Sequence, residues 1–274
     1  MVAASALAGY ALFPGPYNPV SAAWAVTGIF LLAGGCSGLN QVQERTSDAL
    51  MARTRNRPIP SGRLSPRAGL AISLFLVVAG LLALILTGRI LAPALGVFSV
   101  LWYNGFYTPL KRVTGAAALP GALCGAIPPL VGWVAAGGDP TDYRIIVFAG
   151  ILFLWQLPHF WLFALKNRDD FRRAGFPDLF PAAVEARAGR IVLVWILSLA
   201  AGCLMLGTLG LLHGIPTRVF CLGIVAWIVG CAVRELVQEE KAVFQGRLFV
   251  RLNLFMAMVL ASVILDALLV GRPA

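Results

Sequence analysis

Asn40, Glu44 and Asp48 stand at intervals of four. On a helix each interval turns a side chain by only about 40°, so the three share one face. Two carboxylates and an amide make an oxygen-only donor set. It suits a hard cation such as Mg²⁺, which keeps waters and shares phosphate oxygens. The plain alternative is a solvated helix end with an internal ion pair. The neighbouring arginines favour the cation: Arg53, Arg55 and Arg57 fall within five residues and are stopped by Pro58 and Gly62. Carboxylates beside fixed guanidinium groups form a cradle for a metal-bound diphosphate, with Arg53 and Arg57 as its candidates. Arg55 and Arg63 can serve as membrane-surface anchors alone.

Two further clusters carry reactive types. Tyr107, Lys111 and Arg112 put a phenol and two cations at one helix end, which suits an anion or an interfacial belt of snorkelling side chains. Trp155-Gln156-Leu157-Pro158-His159 is followed by Asn167, Asp169 and Asp170, a second acidic site to set against the first. Polar residues inside an apolar run are expensive in lipid and default to function. His159 can contact a polar substrate, ligate a metal, or satisfy the backbone carbonyl freed by Pro158.

The elements that must position these groups can be read from composition. The chain has 274 residues, 59% hydrophobic and 12% charged, against about 25% charged in soluble domains. That excludes an ordinary cytosolic enzyme, a disordered chain and a fibrous one. Apolar runs cover 1–13, 20–39, 68–87, 90–107, 115–135, 145–165, 191–212, 219–233 and 248–270. None alternates as a barrel strand would, so all nine are read as helices in an all-α, polytopic membrane protein with one domain over 1–274. The first run is short and has no positively charged start, which makes it a poor signal peptide and suggests a shortened beginning.

Of the 22 basic residues, 17 fall in alternate connections at about 40–67, 108–114, 166–190 and 234–247, and Arg251 just beyond the last makes 18. The positive-inside rule places these loops and the N-terminus in the cytoplasm and the C-terminus outside. The net charge of +10 is therefore read as topology and contact with the lipid bilayer, and no nucleic acid partner is expected. The five cysteines are scattered, with no CxxC pair, and read as small packing residues. Pro128-Pro129 and Pro158 suggest broken helices, compatible with a secondary transporter of an anionic metabolite. The charges, however, gather at one membrane face instead of the midplane. No feature of the sequence sets an oligomeric state.

Four stretches carry a family likeness: Met51-Ala-Arg-Thr-Arg-Asn-Arg57-Pro58, Gly125-Ala-Ile-Pro128-Pro129-Leu-Val-Gly132, Trp155-Gln-Leu-Pro-His159 and Asp170-Phe-Arg-Arg-Ala-Gly175-Phe-Pro177. Through them, and from about Ala8 to the last helix, the sequence resembles the UbiA superfamily of intramembrane prenyltransferases. The resemblance implies nine transmembrane helices around a central cavity, in a multi-pass protein of the bacterial inner membrane. It implies Mg²⁺ and a prenyl diphosphate held by two acidic motifs. Asn40, Glu44 and Asp48 match the first; Asn167 and Asp170, with Asp169 alongside, fall at the second. Tyr107, Lys111 and Arg112 match a diphosphate-binding loop. Within the superfamily the likeness is to the branch that moves farnesyl from farnesyl diphosphate to the vinyl group of heme b, giving heme O. His159 is then the candidate for contact with heme iron. A branch acting on an aromatic quinone precursor, 4-hydroxybenzoate or a naphthoate, is the alternative. The chain departs from the pattern in four places: Glu44 and Thr46 stand where aspartates are usual, Asp178-Leu-Phe comes after Pro177 in place of a Met-Leu-Pro type sequence, and the usual Lys-Pro opening of the first helix is missing.

Overall fold

In lipid, backbone polar groups must be paired within their own segment, and each apolar run is helical in the computed structural model, which describes residues 1–178, 187–237 and 241–270. Parts of the third and fourth basic connections, 179–186 and 238–240, lie outside the described residues, as does the tail from 271. The order is α1 (Val2–Leu12), α2 (Pro19–Gln43), α3 (Arg45–Leu50), α4 (Pro66–Ile85) and α5 (Leu91–Val100), then a π-helical stretch (Leu101–Tyr107) and one turn of α6 (Thr108–Leu110). A 3₁₀ turn (Gly115–Ala117) leads into α7 (Ala118–Ala135), then α8 (Tyr143–Lys166), α9 (Arg168–Arg173), α10 (Ala188–Thr208), α11 (Ile215–Val237) and α12 (Lys241–Leu269). Among the described residues there is no strand.

Among the described residues, seven helical segments are long and apolar enough to cross a membrane: α2, α4, α7 with its 3₁₀ turn, α8, α10, α11 and α12. The first apolar run is only the 11 residues of α1. The fourth is divided between α5 and the π-helix. Side chains such as Phe30 and Phe75 (71% exposed) face outward. Such exposure suits hydrocarbon rather than water.

Local signals start the helices where expected. Asn18 accepts from the N–H groups of Val20 and Ser21 with Pro19 at the first position, and Ser65 accepts from Ala68 N–H ahead of Pro66. The breaks suggested by proline do not occur: α7 runs through Pro128-Pro129 and α8 through Pro158. All three prolines are buried among neighbouring helices, which restrain the turn each has weakened. This removes the structural argument for a transporter.

Helices in lipid gain little from hydrophobic burial between them, so close packing at small residues carries the association. The crossing of α1 and α7 is the tightest. A Cβ on Gly132 would stand 1.8 Å from the Ala6 carbonyl oxygen, and one on Gly9 would stand 2.0 Å from the Pro129 oxygen. Both obstacles are backbone and cannot rotate away. Gly132→Ala is expected to cost about 1–3 kcal/mol, read as a fall in Tm in detergent. Gly230→Ala, which meets nothing within 4 Å, should leave Tm unchanged.

The two ends of the bundle differ. At one, the connections after α2, α6 and α8 converge on a recess. At the other, Arg144 pairs with Asp142 at 2.6 Å. There the buried Asp266 accepts from the His213 and Gly214 N–H groups at 2.7 and 2.8 Å and from the Thr217 hydroxyl, closing the start of α11.

Candidate active site

The first acidic group sits where α2 gives way to α3. Glu44 leaves helical geometry (φ −104°, ψ 10°), yet the N–H of Glu44 still donates to Asn40 O and that of Asp48 to Glu44 O, at 2.9 and 2.7 Å. The four-residue spacing therefore survives the junction. Asn40, Glu44 and Asp48 are 8%, 4% and 1% exposed and line one cavity of ≈ 300 Å³. Asn40 Nδ2 donates to Glu44 Oε2 (3.2 Å) and to Thr108 Oγ1 (3.3 Å).

Cations ring these carboxylates. Lys111 Nζ lies 2.7 Å from Glu44 Oε2, and Arg57 Nη1 lies 2.9 Å from Asp48 Oδ2. Arg112 sits at the rim, its Nε 3.8 Å from Glu44 Oε1, while its Nη2 donates to the Gln43 carbonyl. Burial pushes the Lys111 ammonium below its ordinary pKa, and Glu44 works against that fall. Arg53 makes no ion pair among the described residues. Its guanidinium carbon stands 5.0 Å from the centroid of Phe163 and 5.2 Å from that of Phe171, a cation–π seat that holds it at the cavity wall. Burial lowers the Arg53 pKa and Arg57 lowers it further, while Asp48, Asp170 and Glu44 oppose both.

The π-helix sets the apolar wall. Asn104, buried within it, donates from Nδ2 to Cys36 O and Gln43 Oε1, and Gln43 Nε2 donates back to Asn104 O at 3.0 Å. These bonds lock the widened turn against α2. Tyr107 then lies against Phe160 with centroids 6.1 Å apart, and Lys111 Nζ is 5.4 Å from the Tyr107 ring. Single-turn widening of this kind recurs at functional sites.

Beyond this mouth lies a second cavity of ≈ 460 Å³ reaching into the bundle, with Ile29, Leu32, Tyr103, Leu152, Trp155 and Leu260 in its wall. Tyr107, Lys111, His159 and Phe160 line both cavities, so the charged vestibule and the apolar chamber share one boundary. His159 is packed by Trp155 and Phe249 at centroid distances of 4.8 and 5.0 Å. Its Nδ1 is buried without a hydrogen-bond partner, so that nitrogen does not satisfy the carbonyl freed by Pro158.

The second acidic motif is placed differently. Asn167 ends α8, its Nδ2 donating to Phe163 O at 2.7 Å. Asp169 is exposed. Asp170 is buried, but it does not line the cavity: it accepts from Ala52 N–H (3.0 Å) and Arg53 N–H (3.2 Å) and pairs with Arg173 at 3.1 Å. Burial opposes its ionisation, but these backbone donors, with Arg173 and Arg53, hold its carboxyl below the usual range. Asp170 thus straps the segment carrying Arg53 onto α9. A depressed carboxylate adds stability above its unfolded value and loses it as pH falls through its folded value. The strap should therefore persist near neutral pH and weaken only below the ordinary carboxylate value of about 3.9. Asp170→Asn is expected to speed hydrogen exchange at Ala52 and Arg53 about tenfold at neutral pH. Asp178, the departure after Pro177, is absorbed locally: Arg168 and Arg172 reach its Oδ2 at 2.7 and 3.1 Å.

Several contributors carry no signal of a role in the sequence: Thr108, Asn104 and the Phe163–Phe171 seat. The donor chemistry at the vestibule fits a hard divalent cation. Glu44 Oε1 is a buried oxygen with no hydrogen-bond partner, in a cavity that Asn40 and Asp48 also line. An unmatched buried acceptor costs about 1–3 kcal/mol. Mg²⁺ typically takes one or two carboxylates and completes its shell with water and phosphate.

An all-helical membrane bundle with an acidic and basic mouth over an apolar chamber defines a protein built for an amphipathic anion. The chain belongs to the UbiA prenyltransferase family, whose model matches residues 2–265. It is 47% identical over 209 residues, 76% of each chain, to a protoheme IX farnesyltransferase of Geobacter sulfurreducens. The fold is similar to that of a UbiA homolog from Aeropyrum pernix K1, with TM-score 0.76, 18% identity and coverage of 99% of this chain and 97% of that one. It is also similar to a UbiA homolog from Archaeoglobus fulgidus bound to GPP and Mg²⁺, with TM-score 0.60, 13% identity and 96% of each chain covered.

Proposed function

We propose that this prenyltransferase moves the farnesyl group of farnesyl diphosphate to the vinyl group of heme b, giving heme O. It does so in the bacterial inner membrane, with the basic loops and N-terminus cytoplasmic and the C-terminus outside. The observation that carries the reading is the shared boundary of the two cavities. A mouth charged for a metal diphosphate opens onto a chamber that holds an unpartnered histidine nitrogen. The names borne by the relatives point to the same reaction.

Breaking the allylic C–O bond puts negative charge on the diphosphate and positive charge on carbon. Lys111, Arg53 and Arg57 stand fixed where the negative charge grows. Asn40, Glu44 and Asp48 would hold Mg²⁺, which supplies further neutralisation of the leaving group. Asp170 acts through the backbone, keeping Arg53 in place. Phe160, Phe163 and Phe249 line the vestibule with aromatic rings, which keep bulk water from the carbon and favour a cation beside them. His159 meets the acceptor, its free nitrogen suited to heme iron.

Membranes holding the protein, given labelled farnesyl diphosphate, heme b and Mg²⁺, are expected to release diphosphate and form heme O by mass. Chelation of Mg²⁺ should abolish both. Formation of prenylated 4-hydroxybenzoate or naphthoate in place of heme O would overturn the choice of acceptor.

A further inference from the structure

Gln156 Oε1 and His159 Nδ1 are both buried without a hydrogen-bond partner, three residues apart on α8, and both residues line the apolar chamber. Three other polar side chains of that chamber donate to carbonyls of their own helices. Ser5 donates to Val2 O, Ser99 to Leu95 O and Asn253 to Phe249 O. Opposite, on α7, a Cβ at Gly125 would stand 2.9 Å from Gln156 Oε1, so the amide is seated in a gap that glycine leaves open.

A buried acceptor calls for a donor. Neither large reactant offers one here: the vinyl edge and the isoprenoid chain are carbon and hydrogen, and diphosphate is itself an acceptor. The remaining reactant is water, whose oxygen ends on the hydroxyethylfarnesyl group. We propose that Gln156 holds that water. The assignment rests on the proposed transfer to heme b. The vinyl electron pair forms a C–C bond to farnesyl C1 as the C1–O bond breaks and its electrons leave with diphosphate. The cation then rests on the carbon attached to the macrocycle. The water on Gln156 Oε1 forms a C–O bond there, and its proton passes to the departed diphosphate. Without a held water, that cation instead loses a proton from the neighbouring carbon and leaves an alkene.

The test compares heme products of the wild type, Gln156→Leu and Gln156→Glu in membranes suspended in heavy-oxygen water, with diphosphate release measured in parallel. The wild type should give the hydroxylated adduct carrying the heavy oxygen. Gln156→Leu should retain diphosphate release but shift product to an adduct lighter by one water, lowering the hydroxylated-to-alkene ratio about tenfold. Gln156→Glu, which keeps an acceptor, should restore the ratio. Gly125→Ala, which crowds the amide, should shift it as Gln156→Leu does. An unchanged ratio in Gln156→Leu overturns the assignment. So does joint loss of diphosphate release and both adducts in the Leu and Glu variants, which would place Gln156 before the C–C bond. A wild type that yields no farnesylated heme refutes the transfer itself, whereas unchanged ratios on a working wild type refute only Gln156.

Discussion

Asp48→Asn is expected to lower farnesyl transfer about 10²–10³-fold, because it weakens the hold on the Mg²⁺ that would neutralise the leaving diphosphate. Asp48 is the most buried of the three acidic-motif residues and lies on the cavity wall. The substitution keeps its shape and removes its charge. Breaking a buried pair is often destabilising because it strands the partner. Here the partner is Arg57, whose side chain is 37% exposed, so it can turn to water and the fold should hold. Initial rates in membranes, set beside Tm in detergent, separate the two effects. Asp169→Asn, on an exposed side chain outside the cavity, should leave the rate unchanged. Equal losses in both variants would mean that the carboxylates act through net charge, not through a site.

On the acceptor side, His159→Phe is expected to weaken heme b binding about a hundredfold, the upper end of losses seen when groups around a metal ligand are removed. Phenylalanine keeps the ring that packs against Trp155 and Phe249, so the change reports the nitrogen and not a void. Heme titration by absorbance reads the affinity, and KM for farnesyl diphosphate should stay put, because the carboxylates and cations of the mouth are untouched. Unchanged heme affinity would reduce His159 to a packing residue.

Much of this architecture is legible in the sequence because lipid permits so few solutions. An apolar run without alternation has to be a helix, and the basic connections mark one end of the bundle. The four-residue rhythm of Asn40, Glu44 and Asp48 gives the vestibule, and it persists across the α2–α3 junction because the backbone bonds bridging Glu44 keep the same step. What the sequence hides are decisions made by packing. The prolines read as breaks, but neighbours hold α7 and α8 continuous through them. Nothing in Leu101–Tyr107 announces a π-helix; it depends on Asn104 finding Cys36 and Gln43 on α2. Asp170 looks like a ligand by composition, and only the approach of Ala52 and Arg53 makes it a strap. Motif position puts Asn167 at the diphosphate, whereas the end of α8 uses its amide for the Phe163 carbonyl.

Glu44 and Asp48, at the α2–α3 junction and on α3, should grip a metal-chelated diphosphate at the mouth of the chamber. Crystals grown with Mn²⁺ and a non-hydrolysable farnesyl diphosphate analogue test it through the anomalous signal of the metal. The expected result is a peak within about 2.0–2.3 Å of a carboxylate oxygen of Asp48 or Glu44, shared with the diphosphate, with the hydrocarbon chain running past His159. A peak held only by Asp169, or a diphosphate bound away from Lys111 and Arg53, would contradict it.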